Sequence, residues 1–256
     1  MVGGEGLSGA GALCASAALR SGVGLLTMAS PQNTAQLYRQ ALPCALVRAA
    51  GRGGGYAPCR KEGAHWQGTT LARLRHGAEQ RRVAGVFQAL QTKKPCVLDA
   101  DALNALAKAG KQAWPYLHNQ TILTPHPADL ARLLQIDTGA VLQDAMGAAE
   151  ALAMSTGAVV LCKNASTIIA GPKYTAVVTQ GCAGMAKGGS GDVLAGCMGG
   201  LLAQGYSAFD SACMAAYICG KAGEMAQQKL GPVSMLPTDT IENIAEITKQ
   251  LCRTAK

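Results

Sequence analysis

Gly181-Cys-Ala-Gly184-Met-Ala-Lys187-Gly188-Gly189-Ser190-Gly191-Asp192 is the run in this chain whose residue types point most directly to chemistry. A glycine-rich stretch that opens into a helical pattern presents backbone N–H groups at the positive end of the helix dipole. Phosphate oxygens or developing negative charge can be held there. Asp192 falls in the first turn, where a carboxylate takes a proton from a hydroxyl while the amides hold a phosphoryl group. The plainer reading makes Asp192 an ordinary helix-start acid and the glycines packing residues; the length of the run favours phosphate chemistry. The run has neither the Lys-Ser/Thr ending of a P-loop nor the Gly-x-Gly-x-x-Gly spacing after a strand that marks dinucleotide sites.

Four further groups could take part. Thr124-Pro125-His126-Pro127 follows an apolar run, so His126 sits on a short stiff turn at a strand's carboxyl end, where open α/β sheets bind substrates; a solvated loop histidine is the alternative. Asp99-Ala100-Asp101 ends another apolar run. One acid there can orient a substrate or metal-bound water, and Asp101 most simply caps the next helix. Lys163-Asn164-Ala165-Ser166-Thr167 joins two apolar runs and offers an ammonium and hydroxyls to a nucleotide phosphate, or is only a β-turn. Gly3-Gly4-Glu5-Gly6-Leu7-Ser8-Gly9-Ala10-Gly11 is a second glycine-rich helix entry, open to a bulky ligand.

The elements that must position these residues alternate between strand and helix. Ser8 caps a predicted helix to Arg20, Leu25 to Ala29 reads as a strand, and Ser30-Pro31 has the cap and first-turn order of a helix start. Helix is expected from Val83 to Leu90, strand from Cys96 to Asp99 and helix from Ala102 to Lys108. Strand then follows from Thr121 to Thr124, helix from Ala128 to Leu134, and helix near Leu142 to Ser155. The run Gly157 to Cys162 precedes a hairpin of Ser166 to Ala170 and Tyr174 to Thr179 about Gly171-Pro172. Helices close the chain at Ser190 to Gln204, Ala208 to Lys229 and Thr238 to Cys252. Strand-then-helix repetition predicts an α/β fold with a mostly parallel central sheet flanked by helices, in a single domain spanning 1–256.

Composition narrows the classes. With 256 residues, 49% hydrophobic and 15% charged, the chain is neither disordered nor collagen-like. Only 4% aromatic content argues against stacking platforms for single-stranded nucleic acid. Ten cysteines lie mostly in apolar runs without a Cys-x-x-Cys pair, as small core residues in a reducing compartment do. No run is long enough to span a membrane, and Met1 to Gly6 lacks the pattern of a signal peptide, so a cytoplasmic protein is expected. The net charge of +8 is concentrated between Arg48 and Arg82, where eight basic residues face only Glu62 and Glu79. A general nucleic-acid-binding face is therefore not supported. That same segment, 47 to 82, has no hydrophobic period and reads as a surface loop or a misread stretch.

Taken in order, Gly3-Gly4…Ser8-Gly9-Ala10, Ala18 to Gly24, Leu98-Asp99-Ala100-Asp101-Ala102-Leu103-Asn104, Thr124-Pro125-His126-Pro127, Lys163 to Thr167 and Gly188-Gly-Ser-Gly-Asp192 resemble the ADP-dependent NAD(P)H-hydrate dehydratase family of the ribokinase-like superfamily. The resemblance implies a three-layer α/β/α fold and repair of hydrated NADH or NADPH, with ADP, or ATP in some members, phosphorylating the ring hydroxyl before phosphate leaves. By position, Asp192 would be the base, with Gly188, Gly189 and Gly191 contributing to the nucleotide site and the anion hole. Ala10, His126 and Asp192 would contact the hydrate, and Lys163, Asn164, Ala165, Ser166 and Thr167 would hold the adenine nucleotide. Magnesium is expected with that nucleotide, without a separate protein metal site; nucleic acid and membrane are not expected partners, and a homo-oligomer is.

Two departures from the family pattern are visible. Only Met1-Val2 precedes the first glycines, where the family has a full strand, so a central strand is expected to be missing. Leu71-Ala-Arg-Leu-Arg-His-Gly77 stands where the family has an apolar strand and a Gly-Pro-Gly-x-Gly type loop. With codons CGG CTC CGG CAT GGG for Arg73 to Gly77, a frame one base later reads Gly-Ser-Gly-Met, so residues 47 to 82 are read here as partly out of frame. The rival readings are a vitamin-alcohol kinase of the same superfamily, a catalytically impaired nucleotide-binding homologue and, on the arginine cluster alone, a nucleic-acid binder.

Overall fold

The computed structural model describes residues 8–50, 70–72 and 79–254. Gly3 to Leu7, Cys59 and the Arg73 to Gly77 stretch lie outside the described residues, and with them most of the out-of-frame reading. Six strands form the main sheet in the order β3 (Thr70–Ala72), β4 (Cys96–Leu98), β5 (Thr121–Leu123), β6 (Val159–Cys162), β7 (Thr167–Ala170) and β8 (Thr175–Val178). The first four are parallel, and β7 and β8 add an antiparallel hairpin. A separate parallel pair joins β1 (Thr27–Pro31) to β2 (Leu46–Ala50), with α2 (Gln32–Ala41) as the crossover.

The central strands are apolar throughout because both faces are covered. On one face Cys96, Leu98, Leu123, Val160 and Cys162 pack against α3 (Glu79–Gln91), α4 (Asp101–Ala109), α5 (Pro127–Leu134) and α7 (Ala145–Thr156). On the other, Val97, Ile122, Val159 and Leu161 pack against α1 (Ser8–Arg20), α8 (Ser190–Ala203), α9 (Ala208–Ser234) and α10 (Pro237–Thr254). Alternate residues of one strand thus serve opposite cores, as a period of two requires. Helix, sheet and helix form the three layers expected from the sequence.

Several boundaries differ from the sequence reading. The segment 47 to 82 is not wholly without elements: most of β2, all of β3 and the first turn of α3 fall in it. Thr70–Ala72 is a strand paired in parallel with β4, at the place where the family resemblance asks for one. Ser30 belongs to β1, and Pro31 is the N-cap of α2. The predicted helix near Leu142 to Ser155 is two, α6 (Thr138–Gln143) and α7, because the Asp144 carboxylate turns back to accept from Gly147 N–H at 2.8 Å and starts a new helix. α9 runs past Lys229 to Ser234 with a kink at Gly231 (φ 77°) before Pro232.

The contact between α1 and α8 is backbone to backbone. A methyl group at Gly196 would collide with the Cys14 carbonyl, and one at Gly200 would lie 2.9 Å from the Ala18 carbonyl oxygen. Gly196 and Gly200 are one turn apart, as are Cys14 and Ala18, so the helices run parallel in register. Gly196→Val is expected to destabilise the protein by about 3 kcal/mol, because rigid backbone occupies the space. Gly199→Ala, at a glycine with no neighbour within 4 Å, is expected to stabilise it by about 0.5–1 kcal/mol through helix propensity. Denaturant unfolding of the two variants checks the contrast.

Candidate active site

The start of α8 lies at the centre of the site. Gly189 is its N-cap at φ +108°, a conformation that favours glycine, and a methyl group there would also lie 2.7 Å from Leu13 Cδ1. Ser190, Gly191 and Asp192 follow as the first helical residues, so their N–H groups stand at the positive end of the dipole. Asp192 is buried, at 4% exposure. The loop before it is tied to α9: Gly181 N–H donates to Glu224 Oε1 and Gly184 N–H to Gln227 Oε1, each at 3.0 Å. Lys187 Nζ donates to the carbonyls of Val233 and Met235, each at 2.6 Å. Although it sits in the glycine run, Lys187 is therefore a latch on α9.

A different lysine supplies positive charge at the helix start. Lys163 directly follows β6, and its Nζ is 3.8 Å from where a methyl group on Gly191 would lie. The same ammonium pairs with Asp99 Oδ1 at 2.9 Å, and Thr124 Oγ1 donates to that oxygen at 2.6 Å. Asp99 is only 1% exposed, whereas the Lys163 side chain is 28% exposed. Lys163 N–H also donates to the Pro125 carbonyl at 2.9 Å. The carboxyl ends of β4, β5 and β6 are joined through these contacts. Burial pushes the neighbouring Cys162 thiol up to about 11, with the Lys163 ammonium pulling the other way. Cys162 is thus a neutral core thiol and not a nucleophile.

His126 is the N-cap of α5, with Pro127 in the first helical position. Its Nδ1 accepts from Asp129 N–H at 3.2 Å, and Asp129 Oδ2 accepts from His126 N–H at 3.3 Å. Its Nε2 lies 3.1 Å from Asp129 Oδ2, and the side chain remains 53% exposed and open to a ligand. Asp129 also pairs with Arg132 at 2.9 Å, and Arg132 donates to Asn104 Oδ1 at 2.6 Å. The α4 and α5 starts are thereby linked. Ala100 is the N-cap of α4, with φ +54° and ψ −120° and no side-chain cap bond. Asp101 is not the cap expected from the sequence; it is a first-turn residue that accepts from Asn104 Nδ2 at 3.3 Å.

A family model described as NAD(P)H-hydrate dehydratase matches residues 1–246. The chain belongs to the NAD(P)H-hydrate dehydratase family. It is 30% identical over 96% of its length to the bifunctional NAD(P)H-hydrate repair enzyme Nnr of Escherichia coli, covering 46% of that protein. Over 55% of its length it is 42% identical to the ADP-dependent (S)-NAD(P)H-hydrate dehydratase of Neisseria meningitidis, covering 48% of it. The chain thus spans about half the length of the curated relatives it matches. A solved ADP/ATP-dependent NAD(P)H-hydrate dehydratase of Bacillus subtilis, co-crystallised with ATP and Mg2+, superposes with a TM-score of 0.80 at 23% identity, covering 97% of this chain and 87% of that one. The fold is ribokinase-like.

Of the residues named from sequence, Lys163 is the one the structure places beside the start of α8. Ala10 lies on the first turn of α1, one turn before Cys14, and Leu13 of the same helix reaches the α8 N-cap at Gly189. Lys163 reaches Gly191, and the turn carrying His126 is bonded to Lys163 through the Pro125 carbonyl. Asn164, Ala165 and Ser166 are exposed and Thr167 is half-buried at the start of β7, so their assignment to the nucleotide rests on the resemblance. The sequence reading did not find the Asp99–Lys163 pair, the Asp129–Arg132–Asn104 link or the ties from α9. The hydroxyl of Thr124, immediately before Pro125-His126-Pro127, was the one local hint of a buried acceptor.

The Glu224 carboxyl is held below its ordinary value of 4.5, first by the Lys221 hydrogen bond and second by Gly181 N–H. A carboxyl depressed in this way contributes stability that is fully present above its unfolded-state value and is lost as pH falls through the lower folded-state value. Glu224→Ala is expected to lower the melting temperature at neutral pH, with the gap to wild type closing as pH falls below 4.5. A gap that stays constant over that range would show that the ionised carboxylate does not hold the loop.

Proposed function

We propose that this chain carries out ADP-dependent dehydration of hydrated NADH and NADPH. The observation that carries the reading is the buried Asp192 in the first turn of α8, with the Lys163 ammonium beside Gly191 and the His126 turn bonded to the same lysine. Asp192 takes the proton of the ring hydroxyl as the hydroxyl oxygen bonds to the terminal phosphorus of the nucleotide and the bond to the departing nucleotide oxygen breaks. The N–H groups of Gly188, Gly189 and Gly191, with Lys163, hold the negative charge on the transferring group. Loss of phosphate, together with a proton from the adjacent ring carbon, restores the ring double bond. Ala10 presents only a methyl group, so the hydrate can approach the α1 backbone, and the exposed His126 ring completes that side.

Lys163, Asn164, Ala165, Ser166 and Thr167 would hold the adenine nucleotide, with ADP or ATP as phosphoryl donor. Among the described residues no three of His, Cys, Asp and Glu gather into a metal-binding group. The donor set fits magnesium arriving on the nucleotide phosphates, an ion that keeps several waters and is held mainly by the phosphates themselves. Bound there, it would offset charge on the phosphates. The same reading takes residues 1–256 as one domain, in a cytoplasmic homo-oligomer. The nine described cysteines are free thiols, as a reducing compartment allows, and no described helix is long and apolar enough to cross a membrane.

Mixing the protein with NADH hydrate, magnesium and ADP is expected to restore the absorbance of reduced nicotinamide. Asp192→Asn is expected to lower kcat by about 10²–10⁴-fold, the usual share of a positioned general base. Accumulation of a stable phosphorylated alcohol would identify a small-molecule kinase instead, and nucleotide binding without turnover an impaired homologue.

A further inference from the structure

Lys163 is pinned at both ends. Its N–H is bonded to the Pro125 carbonyl at 2.9 Å and its ammonium to Asp99 Oδ1 at 2.9 Å, and that oxygen is itself held by the Thr124 hydroxyl at 2.6 Å. A lysine on a free four-carbon stem samples many positions, and its charge would reach a phosphate only part of the time. Asp99 is 1% exposed and fixed from below by a side chain on the adjacent strand's end, so it leaves the ammonium one place to stand, beside Gly191. Lys187, the other lysine near the glycine run, is turned to the carbonyls of α9. Thr124, Pro125 and His126 are consecutive: the first holds Asp99, the second holds the backbone of Lys163, and the third faces the hydrate side.

We propose that Asp99, held by Thr124, is a positioning residue for phosphoryl transfer: it sets the Lys163 ammonium at the start of α8 before the nucleotide arrives. Asp99 touches neither substrate; it acts through Lys163. The identity of the phosphoryl acceptor rests on the dehydratase reading, but the role of the pair at the nucleotide does not.

A double-mutant cycle on the full chain tests this, with ADP, magnesium and NADH hydrate for turnover and ADP alone for equilibrium affinity. Asp99→Asn and Lys163→Met are each expected to lower kcat/KM for ADP by about 100-fold, the scale of removing one preorganised charge-stabilising group. The double variant is expected to fall no more than about 3-fold below Lys163→Met, because Asp99 has nothing left to position. Losses that multiply would show that Asp99 acts independently of Lys163 and overturn the proposal; a loss in Asp99→Asn that appears only as a lowered melting temperature, with kcat/KM for ADP unchanged in the folded protein, would make the pair merely structural and overturn it too. If Asp99→Asn does not fold, Thr124→Val carries the test, with about 10-fold loss expected, restored by Thr124→Ser and absent in the Lys163→Met background. Loss in Thr124→Val that persists there would likewise overturn it. A wild-type protein that binds ADP but leaves NADH hydrate untouched would defeat the dehydratase reading, and the same cycle is then decided in ADP affinity.

Discussion

At Gly196 and Gly200 the backbone of α8 lies against the carbonyls of Cys14 and Ala18, and no side chain larger than hydrogen fits between them. That approach fixes where α8 begins, and the site is arranged around its beginning. Because the helices are parallel, Leu13 of α1 arrives at the α8 N-cap, Gly189. Because α8 packs on the sheet over β4 and β3, and Lys163 at the end of β6 reaches Gly191, the same N-terminus is presented to the carboxyl ends of the strands. One packing contact therefore brings together a glycine-rich helix start, a buried carboxylate and the strand ends that carry the other groups.

Electrostatics complete what packing begins. The α8 dipole, the N–H groups of the glycine run and the Lys163 ammonium concentrate positive potential on one side of Asp192. A carboxylate buried beside them is kept from neutralising the lysine because Asp99 already occupies it at 2.9 Å. Breaking a buried pair leaves an uncompensated charge, so the geometry at the end of β6 is stiff. The Pro125 and Pro127 turn ties this stiffness to His126, so Lys163 and His126 are held by one loop. On the far side, Glu224, Gln227 and Lys187 tie the glycine loop to α9, so the loop does not depend on bound phosphate for its shape.

Much of this was legible in the sequence, for local reasons. The strands β4, β5 and β6 are short apolar runs because they are covered on both faces, and the glycine run opening into Asp192 announced a helix start. Strands β2 and β3 went unread because Leu46-Val-Arg-Ala-Ala and Thr70-Leu-Ala are short, lack alternation and lie in an arginine-rich stretch. Strand β1 was placed two residues early because Leu25 and Leu26 are apolar, although Leu25 is 67% exposed. α6 and α7 were merged because the apolar period continues across the cap at Asp144. The Asp99–Lys163 pair could not be read, since the partners are 64 residues apart and meet only through the order β4-β5-β6. Lys187 was hidden for the same reason: its partners lie beyond a kink in α9.

The central claim is that the phosphoryl group is transferred at the start of α8, between Lys163 and Asp192. A crystal structure of the full chain with ADP and magnesium tests it most directly. The terminal phosphate is expected within hydrogen-bond distance of the Gly191 N–H and Lys163 Nζ, facing Asp192, with the adenosine lying along the turn from Lys163 to Thr167. A phosphate bound away from the α8 N-terminus, with Lys163 still paired only to Asp99, would contradict the account.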